Sequence, residues 1–333
     1  MKSLNYKKIY TGILVLMAFI LPSCSKDDSF DVVGDETNRV FFNTENYTVK
    51  SYNSFVFPVI HTPTGSLGDV TASFPVRSTQ AVSSDVQVTY TVDNSLIDSY
   101  NSANGTQYIK LPDGFLTIGA LTLTIPQGKT TSAEPVKVSV AASKLPQLTE
   151  AGYIVPFKIT SVNGNGTQIS TNQNTAYMLI NTKVTNLYSS PVLADMTGST
   201  LIASRTGWTA TLDAVPTSGT LANMFDARTN TNWQLNPAKA AKLTVDMASS
   251  RSNLTGIRIH TSSTANALTS AMVSTSVNGV DWVSQGTTTL SIASAYQYFK
   301  FYSPVTARYI RIDILGWRST LLFLTEFDVY QAN

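Results

Sequence analysis

Cysteine is nearly absent from this chain. Cys24 is the single cysteine in 333 residues, so no disulfide can staple the folded part to itself. Stability has to come from hydrophobic cores, which a chain long enough for two ordinary domains can supply. Histidine is almost as scarce, with His61 and His260 alone. Two histidines far apart in sequence give no helical His pair for zinc. There is no Gly-x-Ser-x-Gly elbow, no phosphate-binding glycine loop and no thiol nucleophile beyond Cys24. A glycosidase needs two placed carboxylates, and here the acids are scattered. Non-catalytic work is therefore expected, and the chain is read as not an enzyme. Charged residues make up 13% of the chain, with 23 bases against 21 acids. No basic stripe is visible, which argues against a nucleic-acid partner.

What is present begins at the N-terminus. Lys2, Lys7 and Lys8 precede an apolar run from Ile9 to Leu21, followed by Leu21-Pro22-Ser23-Cys24. A basic start, a short apolar run and small residues before a cleavage point describe a secretory signal. The run is shorter than the ~20 apolar residues a membrane span needs. The Leu-x-Ser-Cys step resembles a bacterial lipobox, which implies cleavage after residue 23 and lipidation of Cys24. Ser25-Lys26-Asp27-Asp28 resembles the surface-export tag of Bacteroidetes lipoproteins. The resemblance implies an outer-membrane, lipid-anchored protein displayed at the cell surface, with the periplasmic face as the alternative. Removing Lys2, Lys7 and Lys8 with the signal brings the mature chain to a formal −1. Residues 24–37, rich in Asp and Glu, read as a flexible tether.

Residues 38–185 read as the first folded unit. Period-2 alternation is clearest from Asp85 to Val92, where Val86, Val88, Tyr90 and Val92 share one face. Further strands are expected at Arg39–Phe42, Tyr47–Val49, Ser54–Ile60, Thr71–Val76, Leu121–Ile125, Val136–Val140, Tyr153–Ile159 and Ala176–Ile180, punctuated by Gly and Pro. Short strands at this spacing predict an antiparallel sandwich. One short helix is expected after Asn94, with Leu96, Ile97 and Tyr100 at helical spacing. Ala72-Ser73-Phe74-Pro75-Val76-Arg77-Ser78-Thr79, Asp98-Ser99-Tyr100-Asn101 and Tyr153-Ile154-Val155-Pro156 resemble an immunoglobulin-like N-terminal domain of Bacteroidetes lipoproteins that has no known activity. His61 and Arg77 are read as structural.

Residues 189–333 carry a second series. Met224-Phe225-Asp226-Ala227-Arg228-Thr229-Asn230-Thr231-Asn232-Trp233 comes first. Leu243-Thr244-Val245-Asp246, Ile257-Arg258-Ile259-His260 and Ser274-x-Ser276-x-Asn278-Gly279-x-Asp281-Trp282 follow. Ala307-Arg308-Tyr309-Ile310-Arg311-Ile312 and Leu324-Thr325-Glu326-Phe327-Asp328-Val329-Tyr330 close the chain. The order resembles the coagulation factor V/VIII type C, or discoidin, domain, whose fold family-32 carbohydrate-binding modules share. The implied architecture is all-β: two sandwiches in tandem, the second a jelly roll with ligand loops at one end. Trp233 and Trp282 are expected in its core.

The resemblance also implies a structural calcium site using Asp226 and Glu326. Ala227 and Arg228 replace the usual glycine and second acid, so an ion pair from Arg228 to one of these carboxylates competes with the metal; no other cofactor is called for. Sugar recognition uses aromatic faces and planar polar groups. Trp317 and Arg318, after Gly316 in the last turn, are the first candidates. Trp208 with Arg205, His260, Asn266 and Gln234 follow; Trp208 has a core role and His260 a hydrogen-bonded structural role as the competing readings. The expected function is capture of a polysaccharide or glycoprotein glycan at the outer membrane, beside a neighbouring transporter. The alternative is an adhesion or assembly protein whose second domain binds protein or matrix.

Overall fold

The computed structural model describes residues 37–44, 53–164 and 166–333. Cys24, the signal, the tether and the strand expected at Tyr47–Val49 lie outside the described residues. Two hydrophobic cores divide the rest, one running from Val40 to Ile180 and the other from Leu187 to Val329.

In the first unit the strands Ser54–Thr62, Thr175–Val184, Gly152–Asn163, Val86–Val92 and Thr122–Ile125 form the main sheet. Its inward side chains, among them Val59, Val88, Tyr90, Phe157 and Met178, meet Val40, Phe42, Phe74 and Val138 from two three-stranded sheets. This is a β-sandwich, and its pairing is mixed. Ser54–Thr62 runs parallel to Thr175–Val184, and Asn38–Phe42 parallel to Thr167–Ile169, which corrects the expected all-antiparallel pairing. Alternation reports which face a residue takes but not the direction of a distant partner.

The helix Ile97–Asn104 forms on the outer face of the main sheet, led in by a 3-10 turn whose cap is Asp93 rather than Asn94. Ile97 and Tyr100 pack against Ile154, Tyr177 and Leu179. His61 is structural: Nε2–H donates to Leu148 O at 2.7 Å, and Nδ1 accepts from Ser66 Oγ at 2.8 Å.

The second unit is built on two long bent strands. Ala241–His260 and Tyr296–Trp317 pair along their length, with register shifts between Asp246 and Gly256. The polar stretch Ala248–Asn253 interrupts the alternation, yet the strand continues through the register shifts within one seven-stranded sheet. Leu243, Val245, Ile310, Ile312 and Val273 line one inner face, and Ile257, Ile259, Phe299, Phe301, Phe327 and Val329 the other. Burying a side chain of this size is worth roughly 1.5–3 kcal/mol. Trp233 is fully buried, and its Nε1–H points at Met224 Sδ, 2.9 Å away. Trp282, expected in the core, is half-buried on the outside of the sandwich. The Arg311 guanidinium lies over its ring at 4.3 Å, and its Nε1–H donates to Gly279 O.

The residues joining the two sandwiches are docked. Asn186 N–H donates to Gln285 O at 2.7 Å, its Nδ2 donates to Gln285 Oε1 and Ser303 O, and its Oδ1 accepts from Ser303 N–H. Gly286 lets the chain pass: a Cβ there would lie 2.2 Å from Thr185 Oγ1. Tyr188 stacks on Tyr302 with centroids 4.1 Å apart. The linker thus lies along the edge strand Val283–Thr289. Asn38, beside Thr167 and Gln80, sits beyond the Thr175 end of Thr175–Val184, whereas Val184 enters the linker. The chain therefore enters the first sandwich at the pole opposite the joint.

Candidate functional site

The loops beyond the joint gather at one end of the second sandwich. Ser270 pairs with both Thr289 and Gly316, and Leu268 pairs with Trp317. Register shifts on both sides of Ser270 mark a bulge, which re-aims the residues that follow it. Gly316 is needed there, because a Cβ would meet Thr269 Oγ1 at 2.4 Å and Ser270 Oγ at 2.7 Å. The chain then turns out through Trp317 and Arg318.

Trp317 is half-buried, with part of its ring against the core. Arg318 is exposed, and two contacts hold it to the facing turn. Its N–H donates to Ala267 O at 3.1 Å, and Nη1 donates to Thr264 O at 3.0 Å. Asn266 is the last residue of that turn, Thr264–Asn266, and donates from Nδ2 to Ser263 Oγ. Buried Gln297 anchors the turn from below: its amide accepts from Leu268 N–H and donates to Leu268 O and Ser291 O, all at 2.8–2.9 Å. A further loop joins the cluster through Ala238 N–H, which donates to Thr320 O at 2.7 Å. Gln234, half-buried between buried Trp233 and Leu235, faces away from the core on the small sheet formed with Ser218–Gly219 and Leu322–Leu324. Trp317, Arg318 and Asn266 are thus brought together, with Gln234 on the sheet that flanks them.

Three other candidates are placed elsewhere. Trp208 is 6% exposed and packs edge-on to Phe225 inside the core, so it is a packing residue. Arg205 is buried beside Glu326 and Asp328. Nη1 bonds Glu326 Oε2, lies 3.1 Å from Asp328 Oδ1, and also donates to Met224 O. With Nη1 held by these internal acceptors, Arg205 is a structural cation. His260 is 8% exposed; Nδ1 lies 2.5 Å from Thr325 Oγ1 and the ring packs on Tyr296 at 4.4 Å. Burial, with the Arg258 charge second, lowers its pKa. It supports the base of the loop and is not offered at its surface.

The Asp226 turn has its own chemistry. Asp226 Oδ1 accepts from Arg228 N–H at 2.9 Å, and Oδ2 accepts from Thr231 Oγ1 at 2.7 Å. Glu326 is buried; Oε2 takes Arg205, and Oε1 has no hydrogen-bond partner. Burial raises the Glu326 pKa against the opposing pull of Arg205. The expected ion pair from Arg228 is replaced by Arg205; the exposed Arg228 contributes its backbone to the turn. Among the described residues no three His, Cys, Asp or Glu side chains converge on a metal. The oxygens of Asp226, Thr231 and the Arg228 carbonyl, with the unpartnered Glu326 Oε1, are hard donors of the kind calcium takes.

Sequence reasoning missed Gln297 and Lys239. Gln297 was legible in principle, as a polar residue at an inward position between Tyr296 and Phe299.

Comparison with known proteins agrees with this geometry. Residues 207–326 match the F5/8 type C domain family, and residues 36–166 match a family model described as an N-terminal domain. The second sandwich is an F5/8 type C, or discoidin, domain. A two-domain protein of unknown function from Bacteroides fragilis is similar over 89% of this chain and 95% of its own, at 18% identity and a TM-score of 0.56. A family 32 carbohydrate-binding module from C. perfringens, solved with galactose, matches 40% of this chain and 99% of its own, at 21% identity and a TM-score of 0.36. No curated protein matches the chain.

Proposed function

We propose that this protein is a surface-anchored glycan-binding lipoprotein that captures polysaccharide or host glycan at the outer membrane. The carrying observation is the pairing of half-buried Trp317 with exposed Arg318, held at the loop end of an F5/8 type C sandwich by the Thr264–Asn266 turn. A half-exposed indole offers an apolar face to sugar C–H groups, and a guanidinium offers donors to hydroxyls. Among the described residues no cluster of three His, Cys, Asp or Glu side chains accompanies them, and the proposed role is binding. The docked linker supports presentation: the loops lie at the end of Val283–Thr289 beyond the joint, and the chain enters at the opposite pole of the first sandwich. A lipid on Cys24 would thus hold the site outward, within reach of a neighbouring outer-membrane transporter. The Asp226 turn is proposed to hold a structural calcium ion.

A glycan array on the soluble protein from Ser25 to Asn333 tests the site. Trp317→Ala is expected to weaken the best hit at least tenfold, about 1.4 kcal/mol, while thermal unfolding stays cooperative. Hits indifferent to Trp317 would remove the site. For the anchor, Cys24→Ser is expected to move the protein out of the membrane fraction; an unchanged distribution would exclude the lipid.

A further inference from the structure

We infer that the loop site is built for a sugar that carries a carboxylate. The inference rests on the glycan-binding reading and specifies the ligand class. Residues 236–240, 261–268, 290–296 and 316–321 contain no Asp or Glu. They do contain Lys239 and Arg318. Their loops are joined by the Ala238-to-Thr320 hydrogen bond, which places both cations on one rim. Neither has an ion-pair partner among the described residues, and both are exposed.

Among the described residues four other arginines of this domain face an acid, whereas Arg228 and Arg251 do not. Arg205 and Arg258 face Asp328, Arg308 faces Asp246 at 2.8 Å, and Arg311 lies 3.7 Å from Asp313. Arg318 has no such acid and stands on the loop rim. Of its five side-chain N–H donors, one is spent on Thr264 O. That bond and the Arg318 N–H bond to Ala267 O fix where the side chain starts and what it leans on. A guanidinium ordered in advance loses less entropy when a ligand arrives, and its planar fork matches a carboxylate in two parallel bonds. Trp317 stands next to it for the ring of the same sugar. With no acid on these loops to compete, the free fork and Lys239 make the rim complementary to a negative ligand. A neutral sugar would leave both charges unanswered.

The test sets polygalacturonate, alginate and hyaluronan against the same polymers with their carboxyl groups reduced to alcohols, and against dextran sulfate as a second source of negative charge. The Ser25–Asn333 protein is expected to bind at least one uronate polymer. Carboxyl reduction should weaken that binding tenfold or more, in keeping with the strength of charge-assisted hydrogen bonds. Arg318→Lys should weaken it about tenfold with the melting temperature unchanged, because a point charge replaces the fork. Lys239→Ala should lower affinity mainly at low salt. Equal binding of native and reduced polymers, or preference for dextran sulfate, would overturn the carboxylate inference. Neutral hits on the array that depend on Trp317, with no uronate bound, would do the same and leave glycan binding standing. No glycan of any charge bound would sink both.

Discussion

The second domain uses the same pair of residue types twice. Arg205 with Trp208 and Arg318 with Trp317 are each an arginine and an indole close in sequence, and both pairs read as sugar contacts before the fold is known. The fold separates them. Arg205 is buried against Glu326 and Asp328, and Trp208 lies under Phe225 in the core. Arg318 points outward from a bulged strand end, and the Trp317 ring is half-exposed. Chemical vocabulary alone does not make a site. A guanidinium held between two internal carboxylates serves the fold rather than a ligand, and an indole with no free face cannot stack.

The contrast breaks most visibly at the arginines. Arg205→Ala leaves Glu326 and part of Asp328 as uncompensated buried charge, and should cost about 3–5 kcal/mol in urea unfolding. Arg318→Ala should change stability by less than about 0.5 kcal/mol, as exposed substitutions usually do. A stability loss at Arg318 equal to that at Arg205 would erase the distinction between a structural and a presented arginine.

Calcium sharpens the comparison from the buried side. If the Asp226 turn and Glu326 Oε1 hold the ion, adding calcium at a hundred times its dissociation constant stabilises the fold by about 2.7 kcal/mol. Chelation should reverse the shift in melting temperature, and Asp226→Asn should abolish it. A melting temperature blind to calcium and chelator would mean that the turn is held by the Arg228 and Thr231 hydrogen bonds alone.

Much of this architecture was legible in the sequence. The alternation of Val86 to Val92 placed its strand and face, and the phrases from Met224 to Tyr330 announced the second sandwich. Three features were not. The direction of Ser54–Thr62 beside Thr175–Val184 is set by a partner about 120 residues away. The continuity of Ala241–His260 through its polar bend depends on the neighbouring strand bending with it. Lys239 gains meaning because Ala238 meets Thr320, a contact no local pattern encodes. Among the candidates, the sequence ranked Trp317 and Arg318 first but did not reveal how far Trp208 and His260 are buried. The difference is burial, a property of the whole fold.

His260 supplies the smallest effect and the finest test of that difference. Its pKa is lowered by burial first and by Arg258 second. The unfolded histidine takes its proton near pH 6.5, while the folded ring resists it. Between that pH and the lower folded value the unfolded state binds more protons, so stability falls as pH drops through this window. The groups around it act differently. Burial raises the pKa of Glu326, across the strand, so its protonated form is favoured at low pH and works against the histidine trend. Arg308 lowers that of Asp246, so the stability this group adds is present above the unfolded carboxylate pKa and is lost only as pH falls through its folded value. The wild-type slope is a sum, and the difference from a variant isolates one member. His260→Asn, which keeps a polar partner for Thr325, should flatten the loss between pH 7 and pH 5 by an amount on the order of 1 kcal/mol. If instead the ring were open to solvent and available to a ligand, wild type and variant would lose stability in parallel. Glycan affinity, and not the unfolding curve, would then carry the pH dependence.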